Sequence, residues 1–174
     1  MPHRKIGCLH SEMLSGCSMN FQIAPLSLKE FLPLFELSDA ELAKRGARRM
    51  IADANPGFPC RVSLEDAEVG ERVILLNYTH QPTDSPYRAT GPIFVREKAA
   101  EARLDPGEIP AVVQRRTISV RGYDVEGMMK NAQVVEGRAA LAEMVDEFFA
   151  DNRIAYLHLH NAGAGCYSCR VDRA

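Results

Sequence analysis

The stretch RAALAEMVDEFFADNRIAYLHLHNAGAGCYSCRVDR, residues 138–173, decides the fold, because one helix signal in it is followed at once by two strand signals. Leu141, Met144, Val145, Phe148 and Phe149 recur at spacings of three and four, which predicts a helix over residues 138–152 with one apolar stripe. Glu143, Asp146 and Glu147 fall on its solvated side. In the strand that follows, side chains two apart share a face, so Tyr156, His158 and His160 point one way and Leu157 and Leu159 the other. The Ala-Gly-Ala-Gly segment then turns the chain back. A loop over Gly163–Gly165 sets Leu159 opposite Cys169, Leu157 opposite Val171, His158 opposite Arg170 and His160 opposite Ser168. A loop one residue longer would mix leucines with Arg170, and a one-residue slip moves an entire apolar set to the wrong face, so the first register is expected.

Upstream the signals alternate irregularly. Phe21–Ala24 reads as a short strand and Ser27–Phe35 as a helix broken at Pro33. Ser38 and Glu41 have capping-box spacing, which predicts a second helix closed at Gly46. The following ARRMIADA could continue that helix on spacing alone, with Ala47, Met50, Ile51 and Ala54 on one side, but Gly46 before it and Asn55-Pro56-Gly57 after it favour a strand, and Arg61–Leu64 reads as another. RVILLNYT, residues 72–79, is apolar on both faces in its middle, as in a central strand. Residues 79–92 carry three prolines and a glycine and read as a long loop before GPIFVRE; residues 98–111 read as a further connection. TISVRGYD is expected to pair with NAQVVE across a turn at Gly127. The absence of a βαβ rhythm predicts an α+β domain with a mainly antiparallel sheet, the 138–152 helix packed on it and a C-terminal hairpin.

Composition narrows the function classes. With 21 basic and 23 acidic residues scattered along 174, no basic stripe suits a nucleic acid. No apolar run approaches the roughly 20 residues that span a bilayer, and the N-terminus lacks a signal-peptide core. Residues 1–18 read as a mobile leader or a start upstream of the true one at Met19, which leaves residues 19–174 as one domain. Five cysteines, an odd number without a secretion signal, fit reduced thiols in the cytoplasm.

Three sites follow from residue chemistry. The hairpin face with Tyr156, His158, His160, Ser168 and Arg170 joins a planar guanidinium to imidazoles that titrate near neutrality, which suits a small carboxylate or phosphate. Arg61, Arg88 and Tyr87 are expected to complete that pocket, with His158 or His160 as an acid-base group. Alternatively, Cys166-x-x-Cys169 has metal-knuckle spacing and, with a histidine, could hold zinc in a structural or interaction module. In a regular strand, however, residues three apart face opposite sides, so Cys169 should lie among leucines and Cys166 at the turn. A third reading makes Cys60 a nucleophile with His158 or His160 as its base, against the plainer expectation of a packed thiol. The 79–92 loop adds His80 and Asp84 as binding-loop candidates. No cofactor is required by any motif.

The blocks PGFPCRVSLEDAEVGERVILLNY (residues 56–78), SPYRATGPIFVRE (residues 85–97) and HLHNAGAGCYSCRVDR (residues 158–173) resemble a bacterial family known as domain of unknown function 1203. The resemblance covers the chain from about residue 19 onward. It implies no activity, substrate or cofactor.

Overall fold

The structure, a computed structural model, describes residues 21–174; the leader reading of residues 1–18, with Cys8 and Cys17, lies outside the described residues. In chain order the elements are β1 (Phe21–Ala24), a 3-10 turn (Leu28–Glu30), α1 (Leu32–Phe35), α2 (Asp39–Lys44), β2 (Arg48–Ile51), β3 (Arg72–Gln81) and β4 (Ala89–Arg96). They continue with α3 (Ala111–Gln114), β5 (Thr117–Tyr123), β6 (Met129–Glu136), α4 (Arg138–Ala150), β7 (Tyr156–Asn161) and β8 (Tyr167–Arg173). The strands form a five-stranded sheet ordered β1-β8-β7-β5-β6 and a three-stranded sheet ordered β2-β3-β4, antiparallel throughout. This is an α+β fold. No described helix is long and apolar enough to cross a membrane.

The apolar stripe of α4 covers one face of the five-stranded sheet. Leu141, Val145, Phe148 and Phe149 pack with Ile118, Val120, Leu157, Leu159, Cys169 and Val171 in the largest core cluster. Each such side chain contributes about 1.5–3 kcal/mol relative to exposure, so the helix docks by burial rather than by propensity. Gly122 on β5 lets the helix approach: a Cβ there would stand 2.8 Å from Ile154 Cδ1 and 3.1 Å from Phe148 Cδ2. Helix α2 starts at the expected capping box, with Ser38 accepting from Glu41 N–H and Glu41 accepting from Ser38 N–H. It ends at Gly46, whose φ of +68° is the left-handed conformation that glycine adopts without a steric penalty.

Two expectations need correction. Arg61–Leu64 is not a strand: only the isolated bridges Pro59–Asp66 and Cys60–Phe94 flank it. Its backbone groups bond elsewhere, with Leu26 N–H donating to Arg61 O and Ala102 N–H to Val62 O, and Leu64 sits at φ +51°. The 79–92 segment is shorter as a loop than its prolines suggest, because β3 runs on to Gln81 and β4 starts at Ala89, with Pro92 in β4. The 98–111 connection stands as read, and directly after it comes a helical turn, α3, with Pro110 at its N-cap position, that no periodicity announced.

The β7–β8 register agrees with expectation over Leu157–Val171, His158–Arg170 and Leu159–Cys169, then departs from it. A bulge sets Tyr167, not Ser168, opposite His160. The extra residue, Ser168, is buried.

Candidate functional site

The face of the five-stranded sheet turned away from α4 carries Arg121, Tyr123, Tyr156, His158 and His160, and β3 reaches it with His80 and Gln81. Gln81 and the Tyr156 hydroxyl exchange hydrogen bonds at 2.9 and 3.0 Å, which pins the end of β3 to β7. The His80 ring stacks on Tyr167, centroids 5.1 Å apart and planes within 6°. Tyr123 and Tyr156 lie against His158, centroids 5.1 and 5.3 Å away, and Tyr167 meets it edge-on at 5.1 Å. The result is an aromatic box around three imidazoles.

One ring nitrogen from each of His80, His158 and His160 lies within 4.8 Å of the other two. His158 and His160 are 2 % and 1 % exposed, so neither can be answered by bulk water. His160 Nδ1 is 2.9 Å from Gly165 O; since a carbonyl only accepts, Nδ1 carries the proton and Nε2 the lone pair. His160 Nε2, His158 Nδ1 and His80 Nδ1 are buried with no hydrogen-bond partner, one orphan nitrogen per ring. Burial, then the neighbouring His160, His80 and arginines, push His158 down to about 3. Burial also carries His160 down to about 4, against the Gly165 bond, and lowers His80, with Arg121 adding to the effect. At neutral pH all three rings are therefore uncharged, and each could offer one nitrogen to a metal ion.

Arg121 is the cation common to all three histidines. It reaches Ser119 Oγ at 3.4 Å and the Tyr123 hydroxyl, and among the described residues no carboxylate pairs with it.

The residues expected from sequence separate into groups. His158 and His160 meet as expected and are joined by His80, which sits on β3 rather than in a loop. Arg170 is opposite His158, but its guanidinium lies 3.9 Å from the Tyr156 ring centroid and is paired with Asp172 at 2.7 Å. Tyr87 reaches the site only through Tyr123, edge-on at 6.3 Å, and Arg88 is exposed with Nη1 donating to Pro82 O. Arg61 is buried behind Tyr167, whose carbonyl accepts from its Nε at 2.8 Å. Cys60 lies in a separate cluster with Phe31, Val62, Ile93 and Val95, its sulfur accepting from the Ser63 and Arg96 N–H groups. It shares no hydrogen bond with a histidine among the described residues. Cys169 is on the α4 side, its thiol pushed up to about 12 by burial, while Cys166 stands at the turn. Arg121, Tyr123 and Tyr167 had no sequence signal beyond the alternation that put Arg121 on the polar side of its strand.

A family model described as "Protein of unknown function (DUF1203)" matches residues 57–173, which include every residue of this site. No curated protein and no solved structure matches the chain.

Proposed function

The chain belongs to the DUF1203 family of unknown function, and we propose that it binds a divalent first-row transition metal on His80, His158 and His160, which in turn holds a small anion beside Arg121. The observation that carries this reading is the convergence of three uncharged imidazoles, each with one buried nitrogen lacking a partner. A buried polar atom without a partner costs about 1–3 kcal/mol, and three such atoms, one on each ring of a close histidine cluster, are explained by a shared electrophile. Three histidines leave a fourth position open, the arrangement of catalytic rather than structural zinc sites. The Gly165 carbonyl would act as the outer-shell acceptor that orients His160. Arg121, uncompensated by a carboxylate, favours a carboxylate, phosphate or hydroxide in that position.

This keeps the small-anion reading of the sequence but moves its centre from Arg61, Arg88 and Arg170 to Arg121. A zinc knuckle on Cys166 and Cys169 is less well supported, since Cys169 is packed in the core on the α4 side while Cys166 stands at the turn before β8, and burial disfavours the Cys169 thiolate that a metal requires. Three cysteines outside any disulfide suit a reducing compartment, and we place the protein in the cytoplasm.

The test is metal content and affinity. Protein without a histidine tag, stripped with chelator, should take up one equivalent of Zn2+ or Co2+ by calorimetry. His158→Gln should weaken uptake by at least about 100-fold, the upper end of the cost of losing an outer-shell partner alone. A wild-type protein that takes up none of Zn2+, Co2+, Ni2+ or Fe2+ would refute the proposal.

A further inference from the structure

A second site lies on the other side of Tyr167. Between the Gly57–Arg61 segment, β3–β4 and the turn after β7 is a cleft of about 540 Å³, within the usual range for small-molecule sites. Its walls are chiefly apolar, from Pro59, Leu75, Pro92, Phe94 and Ala162. At its floor is Arg61, 3 % exposed. Arg61 gives Nε to Tyr167 O and Nη1 to Pro59 O, while Nη2 has no acceptor and the guanidinium no carboxylate among the described residues. The other arginine lining the cleft, Arg116, is already paired with Asp66 by two nitrogens. Asn161 is also in the lining, but its Oδ1 is buried, so it adds no charge to the cleft.

A buried guanidinium without a counter-charge is costly, and two carbonyl acceptors offset only part of that cost. Charged side chains are almost never fully buried unless paired. We infer that the cleft binds a monocarboxylate with an apolar body, its carboxylate on Arg61 and its body against Leu75, Pro92 and Phe94. The planar fork of arginine matches a carboxylate, and the walls give no second cation for a dianion, since Arg116 is engaged. The site is distinct from the histidine cluster and does not depend on a metal there.

The experiment is calorimetry of the full chain with octanoate, octanol and acetate below any micellar concentration, in the presence of chelator. Octanoate should bind with one equivalent, at least about tenfold more tightly than octanol or acetate, because only it supplies both the charge and the apolar surface. Arg61→Met should abolish that preference. Because a buried substitution can impair folding, Ala164→Trp, on the exposed turn at the cleft mouth, serves as the second variant and should block octanoate while leaving the melting temperature unchanged. Equal binding of octanol, or octanoate binding unaffected by a folded Arg61→Met or by Ala164→Trp, would overturn the inference. Octanoate binding seen only with added Zn2+ and lost in His158→Gln would also overturn it, while leaving the metal reading intact.

Discussion

Acidification of the metal-free protein should cost stability well before its carboxylates titrate. In the unfolded chain a histidine takes up a proton near pH 6.5, whereas burial holds His158 at about 3 and His160 at about 4 in the native state. Below pH 6.5 the unfolded state thus binds more protons, so stability rises with pH and falls as pH drops towards the folded values. At pH 5 the difference is about 1.4 kcal/mol for each of about 1.5 pH units, or roughly 2 kcal/mol per ring and roughly 4 kcal/mol for the pair. His80 acts in the same direction. Carboxylates held below their ordinary values, such as Asp151 at about 2 with Arg153, lose their contribution at lower pH and leave this window clear. Urea unfolding in chelator at pH 7.5, 6.5, 5.5 and 5.0 measures the effect, with a constant m-value as the condition for comparing midpoints. The double variant His158→Gln/His160→Gln should lose most of the slope. A change below about 1 kcal/mol between pH 7.5 and 5.0 in the wild type would show that the rings accept protons in the folded state, and the picture of uncharged buried ligands would fail.

Three further outcomes rest on packing and pairing. Gly122→Ala should destabilise by about 1–3 kcal/mol, read as a lowered melting temperature, because its Cβ would collide with Ile154 and Phe148. Arg116→Ala should cost about 3–5 kcal/mol in denaturant midpoint, since it strands the buried Asp66 carboxylate, whose remaining donor is Gly57 N–H. Ser38→Ala should cost about 1 kcal/mol by the same measurement, through loss of the α2 cap.

Local rules carried much of this fold. Strict alternation over Tyr156–Asn161 separated leucines from histidines, and the three-four spacing of Leu141 to Phe149 named the face of α4 that meets those leucines, because both patterns follow from backbone geometry alone. The capping box at Ser38 and the pairing of β5 with β6 were legible for the same reason: the interacting residues are near in sequence. What only tertiary structure decided lies at longer range. His80, 78 residues before His158, joins the cluster because β3 continues past its expected end and Gln81 bonds to Tyr156. The bulge that brings Tyr167 opposite His160 is a slip of a single residue, selected by packing on both faces of the sheet, and carries no mark in the turn sequence. Arg61–Leu64 has the composition of a strand, yet its N–H and C=O groups find partners in separate segments, and backbone satisfaction outranks propensity. Two histidines on one face were readable from a period of two; their growth into a cluster of three required β3 of the second sheet to bring His80 beside them.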